Sequence, residues 1–251
     1  MKHKISLSVA IITLNEEDRL PACLESLTFA DEVIVVDSGS TDRTVEIARS
    51  AGCKVYEEAW KGFGPQKQSA VDKCNHEWVL IIDADERVPE ETRAEIISVL
   101  NRPDADGYSF PRKNIYNGKW IRSCGWWPDR VVRLFRKEQG KVKEAQVHEA
   151  VIVSGTTRPL DKPLIHYPVR NLEHVISKIN NYSSLGASML FEKGHTATSF
   201  RAVFRGAAAF LKYYILKRGL FDGYEGFVLS FSHGINTCFK YLKLREKRIN
   251  S

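Results

Sequence analysis

The sequence predicts an α/β fold: a mainly parallel, mixed sheet flanked by helices over residues 1–169, then a basic helical extension over residues 170–251. Three observations predict it. Short β-branched runs alternate with helix-period segments through the first hundred residues, the rhythm of parallel strands joined by right-handed crossovers. Three of those runs end in polar clusters: TLNE, DSGSTD and DADE. The charge also divides, with 24 Lys+Arg against 26 Asp+Glu in residues 1–169 and 13 against 5 in residues 170–251.

The elements follow in order. Ser6–Thr13 is a β-branched run, read as a first strand. The N-terminal MKHKISLSVAIITLNEED opens like a signal peptide, but its apolar run is short and ends in NEED with no small-residue cleavage site. Asp18–Leu27 places Leu20, Cys23, Leu24 and Leu27 at helical spacing, with Pro21 tolerable in a first turn. Glu32–Val36 reads as a buried strand. Thr44–Ser50 reads as a helix that stops at Gly52, with Ser40 and Asp42 as candidate N-caps. Lys54–Glu57 is a weak strand, Pro65–Cys74 a helix, Trp78–Ile82 a strand and Pro89–Leu100 a helix with proline in its first turn. After Asn101 the rhythm breaks. Asp106–Arg112 and Val131–Arg136 read as strands around the aromatic segment NIYNGKWIRSCGWWPD, and from Arg170 the pattern is helical.

Bulk properties exclude several classes. Apolar residues make up 43% of 251, enough for a packed core. The five cysteines, Cys23, Cys53, Cys74, Cys124 and Cys238, are odd in number and include no C-x-x-C pair, which argues for reduced thiols in a cytoplasmic setting and against a disulfide framework or zinc site. No run approaches the roughly 18 apolar residues of a membrane span.

Ligands of open α/β sheets bind beyond the carboxyl ends of the strands, where the three polar clusters converge. Asp37 is suited to a nucleobase or ribose, and equally to capping its own turn. Neither G-x-G-x-x-G nor G-x-x-x-x-G-K-[ST] occurs. Asp83 and Asp85, two apart, would share one side of a continuing strand, and a D-x-D there suits a hard cation that takes its other ligands from a diphosphate. Read alone, it is as well explained by an acidic turn before the helix at Pro89.

TLNEE, VDSGSTDRT, GFGPQKQSA, IIDADE, VVRLFR, VHE and LFDGYEG occur in this order. Together they resemble family 2 glycosyltransferases of the GT-A fold, and among them the bacterial lipopolysaccharide-core β-glucosyltransferases, from Ser8 to about Lys243. The resemblance implies a Rossmann-like nucleotide-sugar domain and an inverting hexosyltransferase. The expected donor is UDP-glucose and the expected acceptor a lipopolysaccharide core or related glycolipid or polysaccharide, with Mg²⁺ or Mn²⁺ as cofactor. It assigns Thr13, Asn15 and Glu16 to the nucleotide pocket, Asp37 with Ser38 to the base, and Lys67 to the nucleotide or its diphosphate. Lys67 has a second reading as a solvated helix lysine. Asp83 goes to the ribose or the metal and Asp85 to the metal, with Glu86 holding the turn. Where many relatives carry an acidic pair, this chain has Val147-His148-Glu149. Glu149 is therefore the expected base, His148 its orienting partner, and Asp129 the alternative base.

Trp120, Trp126 and Trp127 suit an acceptor platform or a hydrophobic lid. Arg130 suits an acceptor phosphate, and Arg136 a solvated face. The other histidines, among them His166, are read as forming no metal set, and Asp222 as a helix cap. The extension's apolar stripe beside a basic face fits either a helix packed on its own domain or peripheral contact with an anionic membrane. The second reading puts the chain on the inner face of the cytoplasmic membrane, through Lys212, Lys217, Arg218 and the 240–248 cluster. A protein or peptide acceptor is one alternative. A non-catalytic nucleotide- or nucleic-acid-binding module is another, disfavoured because the basic excess avoids the α/β half; no nucleic-acid partner is expected.

Overall fold

The computed structural model describes residues 6–143 and 150–250. The chain forms two compact units, residues up to Arg112 with Arg130–His166, and Lys113–Asp129 with residues from Tyr167 on.

In the first unit, β1 (Leu7–Thr13), α1 (Leu20–Glu25), β2 (Glu32–Asp37), α2 (Thr44–Ser50), β3 (Lys54–Glu57), α3 (Phe63–Asp72) and β4 (Trp78–Ile81) follow the predicted alternation. β5 (Glu86–Arg87), α4 (Glu90–Asn101) and β6 (Gly107–Tyr116) come next. β7 (Lys119–Trp120) lies in the second unit. β8 (Asp129–Arg136), β9 (Gly140–Lys143), β10 (Ala150–Val153), β11 (Thr157–Pro159) and β12 (Leu164–His166) complete the strands. The main sheet runs β3-β2-β1-β4-β8-β6-β12-β5, with β11 also on β6. β1 pairs in parallel with β2 and β4, and β2 with β3, while β4–β8 and β5–β12 are antiparallel.

Both faces of the central strands are covered, which explains their near-continuous apolar runs. Val9 and Ile11 of β1, Val35, Leu80 and Ile82 pack with Leu20, Leu24, Ala48 and Ile96. Their neighbours Ala10, Ile34, Val36, Val79 and Ile81 pack on the other face with Ala70, Val71 and Cys74. Each Val, Leu and Ile side chain among them contributes about 1.5–3 kcal/mol by leaving water. The β1–β2 register pairs Thr13 with Asp37 and so aligns two of the polar strand ends.

In the second unit, β7 pairs with the end of β6. The helices are α5 (Leu172–Glu192), α6 (Ser199–Leu211) and α7 (Gly223–Ile249). The Asn171 and Thr198 side chains cap α5 and α6 by accepting from the backbone N–H of His174 and Arg201. α6 and α7 cross at two glycines. A Cβ on Gly206 would sit 2.8 Å from the Cys238 Cβ, and one on Gly234 would sit 3.0 Å from the Phe210 Cβ. None of the described helices is long and apolar enough to cross a membrane.

Two capping expectations are corrected. The N-cap of α2 is Arg43, with no side-chain capping bond; Asp42, one residue earlier, accepts from the Thr44 N–H at 3.0 Å, and Ser40 turns back to Asp37. Asp222 sits at the N-cap of α7 with no capping bond. Its Oδ2 accepts instead from the N–H groups of Arg122 and Ser123, at 3.2 and 3.0 Å.

Candidate active site at the carboxyl ends of the strands

The ends of β1 and β2 are knitted into one loop cluster. Asp37 is fully buried. Its carboxylate accepts from the Thr13 hydroxyl (2.8 Å), the Ser40 hydroxyl (2.5 Å) and the N–H groups of Gly39 and Ser40 (3.0 and 2.7 Å). Four donors on one carboxylate make it first of all the organiser of its loop. Gly39 takes φ +92°, a conformation that costs glycine little. Asn15 adopts φ +54°, which asparagine tolerates, and its Oδ1 accepts from the Thr41 N–H at 2.8 Å. The Glu16 N–H donates to the Thr44 hydroxyl at 2.8 Å. Ser38 Oγ is buried without a hydrogen-bond partner. Buried polar atoms are nearly always satisfied, so this hydroxyl is suited to a ligand that completes it.

At the end of β4 the strand stops at Ile81, one residue earlier than predicted, and 83–86 form a turn closed by Glu86 N–H donating to the Asp83 carbonyl at 2.8 Å. Asp83 and Asp85 therefore do not share the face of a continuing strand, and they engage different partners. Asp83 Oδ1 pairs with Lys67 Nζ at 2.7 Å, and its Oδ2 accepts a short bond from Arg133 Nη2. Asp85 Oδ2 lies 3.5 Å from both His166 Nε2 and Arg19 Nη1. Burial pushes the Asp83 carboxyl up, but Arg133 and Lys67 outweigh it and hold the group well below the usual range. Burial also pushes Asp85 up, and the contact with His166, helped by Arg19, brings it below its ordinary value.

Lys67 is 4% exposed, which removes its reading as a solvated helix lysine. Glu86, wholly buried, holds the turn as expected, accepting the Asp83 N–H at 3.0 Å. It also pairs with Arg133 at 2.8 Å and Arg112 at 3.5 Å. Arg87 closes the loop by donating to the carbonyls of Ala84, Glu86 and Arg19. The sequence reading missed two members. Arg133 had a signal, a cation inside the apolar run VVRLFR, which calls for a buried anion. His166 had none, because it reaches Asp85 only through the β5–β12 pairing.

The donor set fits a divalent cation at Asp85 better than at Asp83. Both Asp83 oxygens already meet cations. Asp85 offers a carboxylate oxygen and His166 an imidazole nitrogen. Among the described residues no group of three or more His, Cys, Asp and Glu makes a protein-only cage, so a cation here would need ligand oxygens from a bound molecule, the usual arrangement for Mg²⁺.

Glu149 and His148 lie outside the described residues. In the second unit Asp129 Oδ2 accepts from Asn114 Nδ2 at 3.3 Å. Trp120 there meets Trp127 edge-to-face at 5.0 Å and stacks under the Arg122 guanidinium at 3.9 Å. Trp126 packs instead beside Tyr116, Ile121 and Cys124. In the first unit Arg130 donates to the Leu160 carbonyl at 2.9 Å. Arg136, expected on a solvated face, pairs with Glu77 and covers the Trp78 ring at 4.7 Å.

Known proteins resemble this chain in sequence and in fold. The family model described as "Glycosyl transferase family 2" matches residues 8–156. The lipopolysaccharide core biosynthesis glycosyltransferase LpsC of Rhizobium meliloti is 31% identical, over 97% of this chain and 93% of its own. An uncharacterized glycosyltransferase of Rickettsia typhi is 32% identical, over 98% of this chain and 88% of its own. Staphylococcus aureus TarS, residues 1–349, solved in complex with UDP-GlcNAc, superposes with a TM-score of 0.53 at 16% identity, over 98% of this chain and 92% of that one, a likeness of fold. With the family model spanning more than half the chain and a GT-A neighbour matching its fold, the chain belongs to glycosyltransferase family 2.

Proposed function

We propose that this glycosyltransferase transfers glucose from UDP-glucose, with inversion, to a lipopolysaccharide core acceptor at the cytoplasmic face of the envelope. The observation that carries the reading is the Lys67–Asp83–Arg133 triad, two buried cations on a half-buried carboxylate, beside Asp85 and His166 at the end of β4. It is a pre-ordered charged site where a nucleoside diphosphate would leave. The acceptor class rests on the resemblance to LpsC.

In this reading Thr13, Asn15 and Glu16 shape the nucleotide pocket. Asp37 holds the loop that meets the base, and the Ser38 hydroxyl completes it. Lys67 and Arg133 keep Asp83 ionised and oriented toward the ribose. Asp85, with His166 beside it, would hold Mg²⁺ or Mn²⁺. That cation, when bound, supplies charge stabilisation to the departing diphosphate. The acceptor hydroxyl gives its proton to a carboxylate and its oxygen attacks C1 of the sugar. The C1–O bond to the diphosphate breaks, and its electron pair leaves with UDP. Attack from the face opposite the leaving group inverts C1 and needs no covalent enzyme intermediate. Glu149, oriented by His148, is the first choice for the base and Asp129 the second. The division of labour between a catalytic domain over residues 1–169 and a basic extension over residues 170–251 is part of the same proposal.

A thermal-shift and hydrolysis screen of nucleotide sugars, with and without Mn²⁺, tests it. Stabilisation by UDP-glucose only when metal is present is the expected result, and no response to any donor would sink the reading. With the donor fixed, turnover of Glu149→Gln beside Asp129→Asn decides the base.

A further inference from the structure

The second unit leaves a large apolar surface in water. α6 turns Ala202 and Gly206 toward α7, where they are buried. Phe200, Phe204, Ala207 and Leu211 follow at i, i+4, i+7 and i+11 on the opposite side, and all are exposed. Phe200 is 81% exposed and Phe204 66%, with their rings stacked 6.5 Å apart. Past the helix, Leu216 is 77% and Phe221 73% exposed. Phe210 and Tyr214 join Phe227 and Phe231 of α7 in one half-exposed ring cluster. A contiguous apolar surface of this kind marks an interaction site.

Charge decides what covers it. From Lys193 to Phe221 the chain carries six cations and no carboxylate. Arg201, Lys212, Lys217 and Arg218 are all exposed. A second copy docked two-fold on this face would set the cations against their own images with no carboxylate in the stretch to answer them. An anionic bilayer surface meets both features at once, with aromatic and aliphatic side chains below the headgroups and Lys and Arg among the phosphates. The expected 240–248 cluster is largely committed elsewhere. Lys243 donates to the Asn180 carbonyl and to Ser183 and Ser184, Arg245 bonds Ser199, and Arg248 donates to the carbonyls of Phe191 and His195.

We infer that the α6 face, from Phe200 to Phe221, lies in the headgroup region of a bilayer of anionic phospholipid. The inference stands on the second unit alone and does not depend on the donor or acceptor of the active site.

Flotation of the full chain with vesicles of phosphatidylcholine, alone or containing phosphatidylglycerol, tests it. Binding to the anionic vesicles alone is expected. Phe200→Ser/Phe204→Ser should weaken partition by roughly tenfold or more, and Lys212→Gln/Lys217→Gln by roughly fivefold per cation. Donor hydrolysis in solution should be unchanged in both, so failure of the active-site reading and of this one can be told apart. Phe221→Ser repeats the apolar arm outside the helix. Equal partition of the wild type onto neutral vesicles, or undiminished partition of the serine variants, overturns the inference. So does a dimer by light scattering that the serine pair splits without any vesicle binding.

Discussion

The two units of this glycosyltransferase treat charge in opposite ways. In the first, the strand ends pack two buried cations, Lys67 and Arg133, against buried Glu86 and half-buried Asp83. In the second, α6 and the turn after it hold cations in water beside exposed phenylalanines. Burying ions is costly unless every charge is matched, so the first arrangement is tolerable only as a complete set. Leaving cations and rings exposed costs little folding energy, so the second can be altered piecemeal. Charge in the first unit should therefore be coupled to stability and activity, and charge on α6 and the turn after it to association alone.

The sharpest way to break that contrast is Arg133→Met. It leaves Glu86 buried with the Asp83 N–H and the longer Arg112 ion pair, and removes one of the two cations on Asp83. Stability should fall by about 3–5 kcal/mol, read from urea unfolding, and Glu86→Gln in the same chain should restore part of it. A loss below 1 kcal/mol would mean that the buried set does not act as a unit.

Asp85→Asn comes next. It keeps the shape and removes the charge, so folding should change little while turnover drops about 10²–10³-fold. Metal-dependent thermal stabilisation by the donor should disappear with it. Asp83→Asn should instead lower stability as well, because Lys67 and Arg133 both lose the charge of Asp83, while Arg133 keeps its pair with Glu86. If the two variants behave alike, the separation of the aspartates carries no functional weight.

How much of this was legible in the sequence depends on the range of the forces involved. α2 and β3 were placed to the residue, since local periodicity and a Gly stop define them. β5, β11 and β12 have two or three residues each and no period to read; they exist because distant segments pair. The site divides the same way. That Asp37, Asp83 and Asp85 sit at strand ends follows from local pattern. That Lys67 is buried, and that His166 and Arg19 reach Asp85, follows from tertiary packing. The shared face expected for Asp83 and Asp85 failed because the chain turns at 83–86, where the Glu86 N–H bonds back to the Asp83 carbonyl.

A milder effect in the first unit is read with pH. Burial pushes Glu32 up, but bonds from Lys54, Ser8 and Asn75 outweigh it and take it from 4.5 to about 2. The folded chain thus holds this proton more weakly than the unfolded one. The resulting stability is present above about pH 4.5 and is lost as the pH falls toward 2. Glu32→Gln should flatten that acid limb by about 1–2 kcal/mol, since water reaches the pair through the exposed Lys54. A denaturation midpoint equally steep in both proteins below pH 4.5 would assign the acid sensitivity elsewhere.

The smallest expected effect belongs to the second unit, at Arg218. This residue holds φ +59° just before the short turn of helix at Gly219–Asp222. Glycine occupies that conformation without the clash a Cβ brings. Arg218→Gly should therefore raise stability, by at most about 1 kcal/mol, since the gain in backbone fit is offset by a more flexible unfolded chain. Arg218 is exposed, so few packing contacts are lost with it. The same change removes one of the six cations between Lys193 and Phe221, so partition onto anionic vesicles should weaken roughly fivefold. Stability and membrane affinity then move in opposite directions in one variant. An arginine kept where glycine folds better would be the signature of a residue retained for association. If Arg218→Gly is neutral or destabilising and vesicle binding is unchanged, the left-handed turn is ordinary structure and the cation there is a bystander.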